Sequence, residues 1–121
     1  MAQERDRQRR AAERRGRHAE FIAALALMLK GWRIVVRRYR TPLGEIDLVI
    51  RRGDLVAFVE VKARAELRAG VDSVSYASER RIRAAGETWL SRQPDGGQLS
   101  WRCDIVVVSS WRWPTHIEDA F

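Results

Sequence analysis

Cysteine is nearly absent from this chain of 121 residues. Cys103 stands alone, so no internal disulfide can form, and a reducing, cytoplasmic setting is the expectation. No histidine adjoins Cys103 to activate it, so it reads as a small buried hydrophobe of a late strand and not as a nucleophile. Histidine is also scarce: His18 and His116 have no metal-ligand spacing to each other, which argues against zinc and makes both of them expected surface positions. No apolar stretch reaches the roughly 18 residues that cross a bilayer. The N-terminus lacks the apolar segment of a signal peptide, so neither a membrane span nor export is expected. Acidic residues are outnumbered by basic ones, 16 against 23.

What is present is a folded domain with a basic lead. The length suits one domain and one core, and a hydrophobic share of 45% is enough to build it. The formal net charge is +7. Arg5, Arg7, Arg9, Arg10, Arg14, Arg15 and Arg17 crowd the first seventeen residues, which favours a polyanionic partner held through its phosphates. A solvated, soluble arm is the alternative, since Glu4, Asp6 and Glu13 dilute the patch. Membrane-surface binding is disfavoured because the basic stretch carries no large apolar side chains to insert.

Three parts are expected: a basic extension over residues 1–15, disordered or a frayed helical lead, a single domain over 16–110, and a tail over 111–121. From Arg17 to Lys30, Phe21, Ile22, Leu25, Ala26 and Leu29 recur at helical spacing, and Gly31 is placed to stop the helix. A strand over Ile34 to Tyr39, a turn at Thr41-Pro42-Leu43-Gly44 and a loop over 65–73 follow. Ala77 to Leu90 reads as a second helix, Pro94-Asp95-Gly96-Gly97 as a turn, and Trp101 to Val108 as a final strand. Helices flanking a mixed sheet give an α/β fold.

The chemistry is concentrated in two apolar runs. Gly44-Glu45-Ile46-Asp47-Leu48-Val49-Ile50 carries an aspartate and Phe58-Val59-Glu60-Val61-Lys62 a Glu-x-Lys, charges that a plain hydrophobic strand would not hold. Between them Arg51-Arg52-Gly53-Asp54 includes a glycine free to take positive φ, so a β-hairpin is expected. With Ile50 paired to Leu55, Asp47 lies opposite Phe58 and Glu45 opposite Glu60. Alternation then puts Glu45, Asp47, Glu60 and Lys62 on one face and Ile46, Leu48, Val59 and Val61 on the other. Asp47 and Glu60 become diagonal neighbours roughly 7–8 Å apart, within joint reach of one cation. A cation or the Lys62 ammonium relieves their repulsion. Hard carboxylate oxygens without His or Cys favour Mg²⁺ or Mn²⁺. There the metal polarises a phosphate and acidifies its water, with Lys62 holding that water or stabilising charge. The competing reading is a solvated strand face with an ordinary Glu-Lys alternation.

Other positions carry weaker signals. Glu20 shares the apolar stripe of the first helix, so it needs a partner: a metal, Lys62, or simply water at the helix surface. Asp104, before Ile105 to Val108, is a structural acceptor or a support to the site. Trp111-Arg112-Trp113-Pro114 could stack unpaired bases, although cover for one edge of the core is the preferred reading.

Gly16-x-x-Ala19-Glu20, Gly31, Gly44-Glu45-Ile46-Asp47-Leu48, Phe58-Val59-Glu60-Val61-Lys62-x-Arg64 and Arg102-x-Asp104-Ile105-Val106 follow an order and spacing that resembles the small bacterial YraN family of uncharacterised proteins, over residues 16–108. The resemblance implies a restriction-endonuclease-like fold of the PD-(D/E)xK superfamily, similar to Holliday junction resolvases. It implies Glu20, Asp47, Glu60 and Lys62 as the catalytic set, with Asp47 and Glu60 as ligands of Mg²⁺ or Mn²⁺. Arg17, Arg64 and Arg80 are then the expected nucleic-acid contacts. Two departures stand out. Ile46 replaces the superfamily's proline before Asp47, and Ser78 stands where many relatives open the second main helix with lysine, so Arg80 replaces that cation or it is missing. Resolvases pair across two strands of a junction, which leaves a homodimer open.

Three function classes follow: a metal-dependent endonuclease cutting DNA, a DNA-binding protein that keeps the fold but turns over weakly or not at all, and a protein-interaction adaptor on the same fold. Metal-dependent cleavage separates the first from the others.

Overall fold

Ala, Arg, Glu and Gln, all strong helix formers, fill the leading segment, and in the computed structural model they form one helix with the amphipathic stretch behind them: α1, Ala2–Leu29. The structure describes every residue except 66 and 73; of Leu67, Val71 and Asp72 it describes the backbone. The helix therefore begins well before Arg17, and the basic stretch is its first half. From Ala2 to His18 all residues but Ala11 are exposed. Propensity and weak i,i+3 and i,i+4 pairs, Arg9–Asp6 at 3.9 Å and Arg17–Glu13 at 3.7 Å, sustain it there in place of packing. Its end is where the sequence puts it. Gly31 takes φ +93°, the Trp32 N–H donates to the Leu27 carbonyl and the Gly31 N–H to that of Met28, the bond pattern of a Schellman stop.

Three antiparallel strands follow: β1, Arg33–Thr41, β2, Gly44–Arg52, and β3, Leu55–Ala63. In the first turn Thr41 Oγ1 accepts from the N–H groups of Leu43 and Gly44. The second turn is Gly53-Asp54 alone, with Gly53 at φ +63°. A glycine with positive φ at the first turn position suits a two-residue hairpin. The register therefore differs from the expected one: Ile50 pairs with Ala57, not Leu55, and Leu48 with Val59.

Within 65–73, expected as loop, lies a short helix α2, Leu67–Asp72; positions 66 and 73 are outside the described residues. Helix α3, Tyr76–Ser91, opens on Ser75, whose Oγ accepts from the Ser78 N–H at 3.2 Å. A 3₁₀ turn, Gly96–Gln98, leads into β4, Ser100–Val108. The expected tail holds a further strand, β5, Thr115–Ile117, antiparallel to β4.

The sheet order is β1-β2-β3-β4-β5, and only the β3–β4 pair is parallel, joined through α2 and α3. Helix α1 covers one face, where Ala23 and Leu27 pack with Leu48, Ile50, Val59 and Val106. Helix α3 covers the other, where Ile82, Ala85 and Trp89 pack with Val49, Val56, Phe58 and Cys103. Gly86 permits that closeness, since a Cβ there would lie 2.5 Å from the Phe58 ring. Cys103 is buried, as expected, and burial pushes its thiol up to about 11, so it is no thiolate near neutral pH.

One expectation about faces fails. Ile46 packs with Val49 and Phe58 beneath α3, while Leu48 and Val59 face α1. Beside this point on β1, Arg38 takes φ +55° between the pairs Arg37↔Leu48 and Tyr39↔Ile46. This local distortion lies across from Asp47, where the simple alternation breaks.

Candidate functional site

The carboxylates gather where β2 and β3 stop pairing. Leu48↔Val59 is the last regular pair, and beyond it Asp47 Oδ2 accepts from the Val61 N–H at 2.8 Å, taking the place of a ladder carbonyl. Glu60 precedes that amide, and its Oε1 lies 3.0 Å from Lys62 Nζ, with only 15% and 21% of the two side chains exposed. An open cleft of about 570 Å³ is lined by Asp47, Glu60, Glu45, Ser78, Arg81 and the Thr41–Gly44 turn. Gly44 belongs to that wall because a Cβ there would lie 2.4 Å from the Arg81 carbonyl oxygen.

Burial pushes the Asp47 carboxyl up to about 7, and the negative charge of Glu60 pushes the same way. The Val61 N–H opposes the shift, while Glu20 and Glu45 add to it. A proton is thus held by a side chain that would ordinarily have lost it near pH 4. Any cation placed between these groups would favour the ionised form.

Glu20 reaches this field from α1, but its hydrogen-bonding partner is Arg38, whose Nε donates to Oε2 at 2.8 Å. Neither Lys62 nor solvent fills that role: the Glu20 side chain is 13% exposed. The bond holds the Arg38 guanidinium firmly protonated, with Glu20, Glu45 and Asp47 contributing further. Glu45 is paired with Arg40, Nε to Oε1 at 3.3 Å. Arg38 was absent from the sequence candidates. The signal available was its place on the strand beside Asp47.

The expected nucleic-acid contacts are dispersed. Arg17 is exposed and lines a shallow groove with Glu20, Arg38 and Arg40. Arg64, just past β3, donates to the Ala63 carbonyl at 2.8 Å. Arg80 does not line the acidic cleft; it lies over the Tyr76 ring in a neighbouring groove, and Arg81 is the α3 cation at the cleft. Helix phase makes that difference, since adjacent residues point about 100° apart.

His116 is not a surface residue. Its side chain is 6% exposed, Nε2 lies 2.7 Å from Oδ2 of the fully buried Asp104, and Nδ1 lies 2.7 Å from Lys30 Nζ. Asp104 also accepts from Arg102 Nε at 3.0 Å and from the Asp119 N–H at 2.9 Å. Burial would raise its carboxyl, but these hydrogen bonds override that and hold it below the ordinary carboxylate range. Asp104 is thus a structural acceptor tying the C-terminal segment to the sheet, one of the two roles expected from sequence. Trp111 and Trp113 do not cover the core edge: they are 102% and 67% exposed.

Asp47 and Glu60 fit a hard divalent ion in the way Mg²⁺ is commonly held, by one or two carboxylates with water and phosphate completing the shell. Among the described residues no group of three or more His, Cys, Asp or Glu is arranged to hold a metal. The fit is therefore to an open two-carboxylate site. Among the described residues, too, no helix is long and apolar enough to cross a membrane.

These features define a small α/β domain whose central hairpin brings Glu45, Asp47 and Glu60 to one open cleft and pairs Lys62 with Glu60. The chain belongs to the uncharacterised protein family UPF0102, whose model matches residues 19–108. It is 57% identical to a UPF0102 protein of Mesorhizobium japonicum, over 100% of this chain and 97% of that protein. A UPF0102 protein of Rhizobium meliloti is 60% identical over 96% of this chain and 95% of its own length, and one of Agrobacterium fabrum is 58% identical over 93% of each. The matched span includes Glu20, Asp47, Glu60 and Lys62 and ends with β4.

Proposed function

We propose that this protein is a metal-dependent phosphodiester hydrolase acting on DNA, with a restriction-endonuclease-like fold. The observation that carries the reading is that Asp47 and Glu60 share one cleft, where burial first and the Glu60 charge second lift the Asp47 carboxyl to about 7. Such a site is poised to exchange its proton for a cation. Mg²⁺ or Mn²⁺, when bound, supplies Lewis acidity toward a phosphate oxygen and lowers the pKa of its water.

The chain's own groups then have distinct tasks. Asp47 and Glu60 would hold the ion through the oxygens left free by Val61 and Lys62. The Lys62 ammonium would leave Glu60 as the ion neutralises it, turning toward the water or the developing charge on phosphate. Glu20, fixed by Arg38, adds to the negative field that favours the cation. Arg81 at the cleft, Arg64 past the end of β3 and the arginines of α1 would hold the polyanion.

A second reading, a DNA-binding protein with little or no turnover, draws on the absence, among the described residues, of a group of three or more His, Cys, Asp or Glu arranged to hold a metal, and on the Lys62–Glu60 pair. Calorimetric titration of Mn²⁺ into wild type and Glu60→Gln, followed by incubation of both with labelled linear, nicked and four-way DNA, distinguishes the two. Metal binding with cleavage, both lost in Glu60→Gln, supports the hydrolase. DNA binding without metal uptake supports the second reading, and absence of all three activities refutes both.

A further inference from the structure

We propose that the groove between α1 and the connection from β4 to β5 receives an unpaired DNA nucleotide, with Trp111 and Trp113 as the stacking platform and Arg15 and Arg112 as phosphate contacts. This rests on the reading of the protein as DNA-directed and specifies its substrate: DNA with a single-stranded segment.

The groove encloses about 520 Å³, a volume in the range of small-ligand sites. Two large aromatic side chains stand in water beside it, Trp111 at 102% and Trp113 at 67% exposure. An indole gains nothing from folding in that position, so its apolar surface is left for something outside the chain. Trp111 also takes φ +65°, a left-handed conformation that non-glycine residues seldom adopt and that clusters at functional sites. Exposure and backbone conformation are independent observations, and they coincide at one residue.

The chemistry of the rim selects the occupant. Among the described residues lining the groove none is acidic, whereas Arg15 and Arg112 are present. The chain as a whole carries +7, so a second copy is electrostatically disfavoured there and an anion is favoured. Aromatic rings beside guanidinium groups are the means by which single strands are held, each base stacking and each phosphate neutralised.

Position links the groove to the cleft. Its wall includes Ala63, the residue after Lys62 on β3, and Ala19, the residue before Glu20 on α1. Both features lie toward the carboxyl end of β3, the groove on the α1 side of the sheet and the cleft on the α3 side; β3 is parallel to β4, and such strand ends are where open α/β sheets place ligands.

The test uses the full chain in EDTA, so that cleavage plays no part. Fluorescence anisotropy compares a labelled duplex carrying a short single-stranded DNA flap with a blunt duplex of the same sequence. Wild type is expected to prefer the flap by about tenfold or more, the range that stacking of one or two bases supplies. Trp111→Ala should lose the preference with an unchanged melting temperature, and Trp111→Phe should restore much of it. Equal affinity of wild type for flap and blunt DNA, or a preference that persists in Trp111→Ala, overturns the proposal. An RNA flap bound more tightly than the DNA flap also overturns it. Failure of the hydrolase reading looks different: the flap preference survives while no metal-dependent cleavage occurs on any DNA.

Discussion

Replacing Asp47 by asparagine should stabilise the protein, and only above mildly acidic pH. Asparagine keeps the shape and an oxygen to accept from Val61, so the perturbation is confined to charge. The Asp47 carboxyl is lifted from 3.8 to about 7 in the fold. Between those values the folded chain retains a proton that the unfolded chain has released, so wild-type stability falls as pH rises through that window. A lift of about three units corresponds to a ceiling of about 4 kcal/mol. The cleft is open to water, which screens the charges and reduces the expected effect to about 1–2 kcal/mol.

At roughly 4 °C per kcal/mol for a domain of this size, Asp47→Asn should melt level with wild type near pH 4 and about 4–8 °C above it at pH 8. Circular-dichroism melts at half-unit pH steps measure this directly. Millimolar Mn²⁺ should raise the wild-type melting temperature at pH 8 and leave the variant unmoved, because the ion relieves the same repulsion that the substitution removes. A variant that melts below wild type at pH 8, or a gap that does not change with pH, would refute the argument from crowding.

Three other perturbations probe different parts of the molecule. Gly86→Ala improves helix propensity by about 1 kcal/mol yet drives a methyl into the Phe58 ring, so a net loss of about 1–2 kcal/mol in urea unfolding is expected, and a gain would show that α3 can shift. His116→Ala removes a bond to the buried Asp104 carboxylate and should cost about 2 kcal/mol at pH 7. Because the Asp104 carboxyl is held low in the fold, the stability it lends is present above about pH 4 and lost as pH falls further. The His116→Ala penalty should therefore shrink in acid, which melts at pH 3 would show. Changing Arg5, Arg7, Arg9 and Arg10 together to Ala should weaken binding of every DNA sequence and flatten the salt dependence; an unchanged slope in a salt titration would remove α1's first half from the interface.

Why the cleft was legible in the sequence while its surroundings were not comes down to parity. The expected pairing of Ile50 with Leu55 misjudged the turn by two residues, since Ile50 meets Ala57. A two-residue slip preserves which side of the strand each residue faces, whereas a one-residue slip would have reversed it. Asp47 and Glu60 therefore still meet, moved from diagonal to nearly opposite. Ile46 leaves the pattern next to Arg38, whose positive φ nothing about an arginine inside an alternating strand announces. That Arg81 and not Arg80 lines the cleft follows from helix phase, which depends on where α3 packs and not on its own sequence.

The contacts missed outright join elements distant in the chain, as when Glu20 of α1 meets Arg38 of β1 and Asp104 meets His116. Histidine far from another metal ligand is fairly read as a surface residue until β5 is seen to lie against β4. That same strand explains the tryptophans. Held by the His116–Asp104 contact and by the bond from the Asp119 N–H, the C-terminal segment covers the sheet edge itself, so Trp111 is free to point outward. The aromatic residues that were expected to seal the core are thereby released from it, and their exposure next to the end of β3 is what the proposed nucleotide site would use.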